Sequence, residues 1–426
     1  MNASKTPHWI SRFPFFYGWI ILGVSILCGF ISGPGQTYGV SIFVDPMIKD
    51  LGFSRTVMAI LYTVGSLSAA ALMIIIGRLL DRYGARILLA TVTILFGFAL
   101  IWMSSVDSSS DLYLGFLAIR TLGQGSLTLI PTTLLAIWFI KGRGRVMPFF
   151  FLGSALSQAA FPPLIHKLVT TFGWRDSWDI LGLIVWASLL IPVILLIRRT
   201  PESVGLSPDG GITNTSQIKD LDQKLIFHET NWTLPEAIKT RSFWLLLYAG
   251  APLPLISTAL VFNHISLMDS RGFSAGIAAS TLSIMAPSSL VGSFGAGYFL
   301  DKFANRYTLA MGQIILILAM ICPMFIQSSG GAFFYGGLLG LAGGCVMTVN
   351  SVIWPNYYGR ASLGTIRGIG TTSSVAFAAL GPLPFAYLFE LTNTYTVALV
   401  IFLVLPITAI LAALFALPPN KRKEAT

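Results

Sequence analysis

Long apolar runs, separated by short polar breaks, make up most of this chain. A helix needs about 20 residues to cross a hydrocarbon core of about 30 Å, and lipid requires each such segment to satisfy its own backbone. The pattern therefore predicts an all-α membrane protein with twelve transmembrane helices. Their expected bounds are 15–40, 55–77, 86–106, 111–139, 145–170, 176–198, 242–267, 274–298, 306–327, 331–355, 364–389 and 395–417.

The chain consists of two related halves. The charged segment Gly77–Arg86 recurs in degraded form 220 residues later as Gly297–Arg306, and Gly52-Phe53-Ser54 recurs as Gly272-Phe273-Ser274 at the same spacing. Each charged segment is expected as a loop between the second and third helices of its half, an internal repeat typical of secondary transporters. The predicted domains are two six-helix bundles, with a cytoplasmic linker between them that tethers the halves and ends in a short surface helix; their bounds are 1–199, 242–426 and 200–241.

Composition agrees with a membrane protein, since 54% of the residues are hydrophobic and only 10% are charged. The net charge of +10 does not indicate a nucleic-acid surface. With a cytoplasmic N-terminus, 21 of the 27 Lys and Arg residues fall on the inner side, as the positive-inside rule requires. We therefore expect both termini in the cytoplasm, a multi-pass location in the plasma (inner) membrane, the lipid bilayer as partner, and no nucleic acid.

The sequence predicts neither an enzyme nor a cofactor. It has no nucleophile–base pair, no phosphate loop and no metal-ligand cluster, and its three cysteines lie in apolar runs without metal or disulfide spacing. Because no ATP motif is present, any transport is expected to draw on gradients. A monomer is expected.

The first charged segment resembles the signature of the major facilitator superfamily, Gly-x-x-x-Asp-Arg-x-Gly-x-Arg, and in the second copy Ala304 replaces the second glycine. Arg120–Gly125 resembles the superfamily's fourth-helix motif. The resemblance covers nearly the whole chain and implies the major facilitator fold, with transport by alternating access. Further segments are similar to bacterial members of the monocarboxylate and oxalate/formate transporter group: Tyr17–Trp19, Trp138-Phe139, Arg143–Arg145, Gly173–Arg175, Trp354–Arg360 and Gly364–Gly368.

In the signature, Asp81 and Arg82 lie at the cytoplasmic edge, where charge costs little. A carboxylate there can pair with a cation of the facing half and accept hydrogen bonds from a helix N-terminus, so that it closes the cytoplasmic side. The alternative is that these residues only anchor the topology. The gating residues expected from the two copies are Gly77, Asp81, Arg82, Gly84, Arg86, Asp301, Lys302 and Arg306.

Arg120 is the cation most clearly inside a span, where a charge costs about 2.5–3.5 kcal/mol on insertion scales. At helical spacing it shares a face with Gln124 and Thr128, and that face is expected to line the cavity. An Arg that ties the fourth helix to neighbouring backbone carbonyls is an equal alternative. The other candidates for substrate binding are Gln124, Gln36, Tyr38, Tyr62, Asn263, His264, Ser293, Asn350 and Trp354.

Two cations that the resemblance implies are missing. Ser293 stands where related carboxylate carriers place an Arg in the eighth helix, and Ala376 stands where oxalate exchangers place a Lys in the eleventh. A dianion is therefore not expected, whereas a monocarboxylate could be held by Arg120 or by helix breaks at Pro252 and Pro254. The missing cations also favour a neutral or bulky apolar substrate.

Two polar candidates also have simpler interpretations. His264 could carry a proton, or it could be an interfacial His beside Asp269 and Arg271. Asn350 could face the cavity or bond one helix to another.

The function expected is a secondary carrier of a small organic solute, a monocarboxylate symported with a proton. The alternative is a proton-driven exporter of drug-like or secondary-metabolite compounds, although residues 153–163 show no Gly-Pro antiporter motif. A membrane sensor without transport is a third possibility, against which the intact first signature argues.

Overall fold

The computed structural model describes residues 15–53, 55–210 and 231–420, and these residues form helices and turns without a strand among them. They divide into two compact units. The first comprises Met1–Asn231 with Gly359–Thr371, and the second comprises Trp232–Tyr358 with Thr372–Thr426. The first unit thus includes the beginning of the predicted eleventh helix. The domain bounds predicted from the sequence follow its internal repeat, and they stay a prediction.

Among the described residues up to position 210, the structure has eight α-helices and several short helical turns. The α-helices are α1 (Gly18–Ile31), α2 (Thr37–Leu51), α3 (Arg55–Tyr83), α4 (Ala85–Ser104), α5 (Ser109–Ile119), α6 (Leu127–Trp138), α7 (Arg143–Phe172) and α8 (Trp174–Leu196). A 3₁₀ turn, Gly33–Gly35, separates α1 from α2, and a π-helical turn, Arg120–Ser126, separates α5 from α6. Two further 3₁₀ turns follow at Glu202–Val204 and Pro208–Gly210.

The structure describes ten helices between residues 231 and 420. They are α9 (Leu234–Ala237), α10 (Arg241–Gly250), α11 (Pro252–Phe262), α12 (His264–Asp269), α13 (Ala275–Lys302), α14 (Asn305–Phe325), α15 (Ser329–Tyr358), α16 (Leu363–Leu380), α17 (Pro382–Thr392) and α18 (Tyr395–Phe415). The short linker helix predicted at 231–238 is α9, and at its start the Thr233 N–H donates to Glu236 Oε2 (2.7 Å).

Eight helical stretches among the described residues are long and apolar enough to cross a membrane. Three of the other predicted segments coincide with α5–α6, α13 and α16–α17. The fourth, 15–40, covers α1 and only the start of α2, which continues to Leu51. The all-helical class is therefore confirmed, and a count of twelve spans is compatible with the structure but stays a prediction. The eight stretches are Ile60–Tyr83, Ala85–Ser104, Arg143–Phe172, Trp174–Leu196, Arg241–Val261, Asn305–Phe325, Ser329–Tyr358 and Tyr395–Phe415.

The first signature segment is helical, and its interpretation as a loop was wrong. Helix α3 continues to Tyr83, because charged residues are good helix formers wherever the backbone can still bond, and Gly84 alone joins it to α4. Gly84 has φ +82°, a conformation that favours glycine. In the second copy Phe303 and Ala304 separate the helices, and Ala304 is extended (φ −63°, ψ 137°). The glycine is thus replaced where the backbone does not require it.

Four predicted helices are interrupted. The first breaks at Gly33–Gly35 and the fourth at the π-helical turn, while the seventh and eleventh break just before Pro252 and Pro382. Proline removes a backbone donor and clashes with the preceding turn, which accounts for the last two. These breaks leave carbonyl groups outside the regular helical pattern inside the units, where side chains can use them.

Candidate functional site

Arg120 is held by groups from three parts of the first unit. Its Nε donates to Ser66 Oγ (3.1 Å), and its Nη1 donates to Thr37 Oγ1 (3.1 Å) and to the Gly35 carbonyl oxygen (3.4 Å). The guanidinium carbon lies 5.0 Å from the centroid of the Tyr62 ring, a cation–π distance, and the Tyr62 hydroxyl donates to the same Thr37 oxygen (2.9 Å). The break between α1 and α2 therefore supplies part of the Arg120 environment.

No described carboxylate compensates the charge of Arg120. The side chain is only 8% exposed, and within the described parts of the chain no carboxylate lies within 4.0 Å of it. The hydroxyl groups and the carbonyl orient the guanidinium without neutralising it. A buried cation without a counter-charge is costly, and its field remains available to an anion.

The other candidates of the first unit lie near this point or pack against neighbouring helices. Gln124 lies in the same π-helical turn, so the α-helical face predicted for residues 120, 124 and 128 is interrupted; its Oε1 is buried and has no hydrogen-bond partner in the described chain. Gln36 donates to Ser32 Oγ (3.1 Å), and Tyr38 donates to Ser157 Oγ on α7 (2.8 Å). Single π-helical turns inside α-helices are frequent at functional sites.

Asp81, in the first signature, caps the N-terminus of α16. Its Oδ1 accepts from the Gly364 N–H (2.8 Å), and its Oδ2 accepts from the N–H (2.8 Å) and the hydroxyl (2.6 Å) of Thr365. These are the second and third residues of the helix, whose N–H groups lack intrahelical partners. The carboxylate also complements the positive end of the helix dipole. The Asp81 backbone carbonyl accepts from Arg199 Nη2 (3.0 Å).

Helices α3 and α16 meet backbone to backbone beside this cap. A Cβ atom added to Gly77 would overlap the Gly364 carbonyl oxygen, and one added to Gly364 would lie 2.6 Å from the Gly77 carbonyl oxygen. One turn further along, a Cβ on Gly368 would lie 2.7 Å from the Met73 carbonyl oxygen. Gly77, the first residue of the signature, therefore permits the close approach of α3 and α16 that brings Asp81 to the N-terminus of α16.

The remaining signature cations contact aromatic rings or helix ends. Arg86 Nε donates to the Ile194 carbonyl (3.0 Å), in the last turn of α8. The guanidinium carbon of Arg82 lies 5.3 Å from the Tyr83 ring centroid. In the second copy Lys302 donates to the Tyr298 hydroxyl and Arg306 Nη2 to that of Tyr307 (2.9 Å), while Asp301 is half-buried in the last turn of α13.

The sequence assigned no contacts to several cations near the end of α6. Arg143 Nε donates to the Ala136 carbonyl (2.8 Å), and Arg360 Nη1 donates to the Ile137 carbonyl (3.2 Å) and to Glu202 Oε1 (3.1 Å). Cations at a helix C-terminus complement its dipole. A cavity of 320 Å³ lies here in the first unit, lined by Leu80, Asp81, Gly84, Ala85, Thr133, Leu134, Ile137, Arg199, Thr200, Glu202, Asn231, Arg360 and Ala361.

His264 lies in the second unit, where its ring stacks on Tyr335 (centroids 5.8 Å apart). Its Nε2 lies 3.0 Å from the Ala278 carbonyl oxygen. Its Nδ1 and the Tyr335 hydroxyl are buried and have no hydrogen-bond partner among the described residues. Arg271, which the sequence placed beside His264, donates to Thr396 Oγ1 (3.0 Å).

The other candidates of the second unit contact their own helices or close neighbours. Asn263 Nδ2 donates to the Ala259 carbonyl (2.9 Å). Ser293 is buried; it donates to the Gly344 carbonyl (3.1 Å) and accepts from Thr348 (2.9 Å). Asn350 lies against Gly250 at the break between α10 and α11, and Trp354 packs against Phe243 and Tyr358.

Comparison with known proteins gives one family and several relatives. The family model of the Major Facilitator Superfamily matches residues 25–332 and 256–426. MFS transporter asaE of Aspergillus flavus is 22% identical over 306 residues, which are 71% of this chain and 63% of that protein. The Oxalate:formate antiporter of Oxalobacter formigenes is 24% identical over 383 residues, 85% of this chain and 83% of that protein. The Probable sulfoacetate transporter SauU of Cupriavidus necator is 23% identical over 420 residues, 94% of each. The chain thus spans less than two thirds of the first relative and nearly all of the last.

Proposed function

Since this chain belongs to the Major Facilitator Superfamily, we propose that it is a secondary active transporter of a monocarboxylate-type organic acid, symported with a proton. Transport proceeds by alternating access between two six-helix halves in the plasma (inner) membrane. Relatives named for oxalate and formate and for sulfoacetate support an acidic substrate. The observation that carries the proposal is that Arg120 is buried and that no described carboxylate lies within 4.0 Å of it.

Arg120 is the anchor for the carboxylate. Its guanidinium is buried and already oriented by Ser66, Thr37 and the Gly35 carbonyl, so little side-chain entropy is lost when an anion binds. Because no described carboxylate neutralises it, a substrate carboxylate supplies the missing counter-charge. One such cation suits one carboxylate, which favours a monocarboxylate over a dianion.

Asp81 acts as a latch in this cycle. Its three hydrogen bonds to Gly364 and Thr365 hold the first turn of α16 against α3. Charge-assisted hydrogen bonds at a helix N-terminus are stronger than neutral ones, yet they can be exchanged for water at the membrane edge. The latch closes the cytoplasmic side and opens when the halves rock.

Proton coupling sets the driving force. A monocarboxylate moved with one proton is electroneutral, so each unit of pH difference contributes about 1.4 kcal/mol and the membrane voltage contributes nothing. A neutral solute moved with one proton would instead gain about 2.3 kcal/mol per 100 mV. The response to voltage therefore separates the two substrate classes.

The alternative function is proton-driven export of drug-like or secondary-metabolite compounds. Its support is the environment of Ser293, the position at which related carboxylate carriers place an Arg. Ser293 is buried and hydrogen-bonded between α13 and α15, so the second unit provides no cation there. A substrate site with Arg120 as its cation suits a neutral or lipophilic compound better than it suits a dianion.

Uptake by purified protein in liposomes tests the proposal. Radiolabelled formate, acetate, lactate and benzoate would be offered with an imposed pH gradient, with the voltage set independently by potassium and valinomycin. We expect uptake of at least one acid that follows the pH gradient, ignores voltage and is lost in Arg120→Gln, with Lys239→Gln as the exposed-cation control. Transport of lipophilic compounds alone would replace the proposal with export, and ligand binding without flux would indicate a sensor.

A further inference from the structure

Arg367 is a second buried cation of the first unit. It lies one turn into α16 and is only 8% exposed. Its Nη1 donates to Thr133 Oγ1 over 3.4 Å, a long hydrogen bond. In the described parts of the chain no carboxylate lies within 4.0 Å of its guanidinium. This arrangement repeats that of Arg120: a buried guanidinium oriented by a threonine, with its charge uncompensated.

The two acidic groups that line the cavity beside Thr133 are engaged elsewhere. Both oxygens of Asp81 accept hydrogen bonds from Gly364 and Thr365, and Glu202 pairs with Arg360. The end of α6 also contacts Arg143 and Arg360 through the Ala136 and Ile137 carbonyls. This region therefore concentrates positive charge, and no described carboxylate pairs with Arg367.

Space for a small ligand lies beside the threonine that orients Arg367. Thr133, the hydrogen-bond partner of Arg367, lines the 320 Å³ cavity together with Thr200, Asn231 and Arg360. Small-molecule sites begin at about 300 Å³ and combine a few placed polar groups with apolar walls. Leu80, Leu134 and Ile137 supply such walls here.

The two cations occupy different depths of the first unit. Thr133 follows Arg120 by 13 residues on the same segment, which at 1.5 Å per residue is about 20 Å along the helix. Thr133 lies in the last half of α6, on the side that the charge distribution predicts to be cytoplasmic.

We propose that Arg367 and Thr133 form a second carboxylate site, at which the substrate anchored by Arg120 is held on the cytoplasmic side before release or after entry. The inference rests on the proposed function and adds a second binding site for the same class of substrate. The Thr133 hydroxyl positions the guanidinium, and Arg367 contacts the substrate carboxylate.

Transport kinetics measured separately from each side of the membrane test this site. Flux of the best-transported acid among formate, acetate, lactate and benzoate would be measured in right-side-out and inverted vesicles at equal pH and zero voltage. In Arg367→Gln we expect the half-saturating concentration on the cytoplasmic side to rise at least tenfold, while that on the outer side stays within twofold. Because Vmax/KM must be equal in the two directions under these conditions, the Vmax of influx falls in proportion. Arg367→Lys, which keeps the charge, should restore the cytoplasmic value to within about threefold.

Other outcomes overturn the inference. A structural role for Arg367 would lower Vmax in both directions and leave both half-saturating concentrations unchanged. If Arg367→Gln does not fold, Thr133→Val serves instead, and an unchanged cytoplasmic half-saturating concentration in that variant contradicts the second site. If the wild type transports an acid and the variants have unchanged half-saturating concentrations, only the second site is contradicted. If the wild type transports no acid, the proposed function is contradicted as well.

Discussion

Asp209 and Asn231 cap two loops that lie 220 residues apart in the chain. The Asp209 carboxylate accepts from the backbone N–H groups of residues 140, 141 and 142, at 2.9–3.2 Å. The Asn231 side-chain oxygen accepts from the N–H groups of Arg360 (2.9 Å) and Ala361 (3.2 Å). Residues 140 and 141 are the repeat equivalents of 360 and 361. Residues on either side of the undescribed part of the linker thus bind equivalent loops in a similar way.

Replacing Asp209 should destabilise the folded protein. In Asp209→Ala three backbone donors lose a charged acceptor, which we expect to lower the free energy of unfolding by ~1–2 kcal/mol because the group is half-buried. Thermal unfolding in detergent measures the loss. Asp209→Asn is the matched control, because it keeps one acceptor oxygen and tolerates the left-handed backbone found here (φ 60°). Equal melting temperatures for the alanine variant and the wild type would show that the cap contributes nothing.

Much of the architecture could be predicted from the sequence, and the reason is physical. Apolar runs of fixed length specify spans in lipid, and the 220-residue repeat relates the two copies. The repeat extends to backbone detail, since Gly52 and Gly272 both have positive φ (69° and 80°). Family membership, expected from the signature at Gly77–Arg86, is confirmed by the family model.

The contacts of the candidate site could not be predicted in the same way. The end of α3 was missed because hydropathy records where apolar residues stop, whereas a helix continues as long as its backbone bonds are made. The neighbours of Arg120 depend on the break at Gly33–Gly35, some 85 residues earlier, which no local pattern relates to it. The charge distribution placed Arg367 on a cytoplasmic segment and gave no sign that it is buried. Its contact with Thr133, 234 residues away in the chain, is known only from the folded structure.

The three hydrogen bonds of Asp81 can be dissected at Thr365. Thr365→Val removes the hydroxyl donor but keeps the N–H, so we expect a partial loss of transport, about twofold to fivefold. Asp81→Ala removes all three bonds and should reduce the initial rate of uptake at least tenfold. Thr365→Ser keeps the hydroxyl and should transport at close to the wild-type rate. Full activity in Asp81→Ala would leave the carboxylate with a topological role alone.

The approach of α3 to α16 should not tolerate a methyl group at Gly77. In Gly77→Ala the new Cβ would overlap the Gly364 carbonyl oxygen, so the helices must separate or shift, at a cost of ~1–3 kcal/mol. Gly23→Ala is the control, because a Cβ there meets no atom within 4 Å and alanine favours a helix by ~0.5–1 kcal/mol. Melting temperatures of the two variants should therefore change in opposite directions. A neutral Gly77→Ala would mean that the backbone contact is not maintained in the membrane.

Variants of the stacked pair His264 and Tyr335 can distinguish a packing role from a role in moving the coupled proton. The Tyr335 hydroxyl is buried and has no hydrogen-bond partner among the described residues, so if it serves only packing, Tyr335→Phe should be neutral or raise stability, because a desolvated hydroxyl is removed. If the pair handles the coupled proton, both Tyr335→Phe and His264→Gln should fold normally but lose pH-driven accumulation at least tenfold, while exchange at equal pH continues. We expect the second result, since His264 is the one His among the described spans whose ring nitrogen is both buried and unpartnered. Uptake measured with and without a pH gradient in both variants decides the question, and unchanged accumulation would assign the proton to another group.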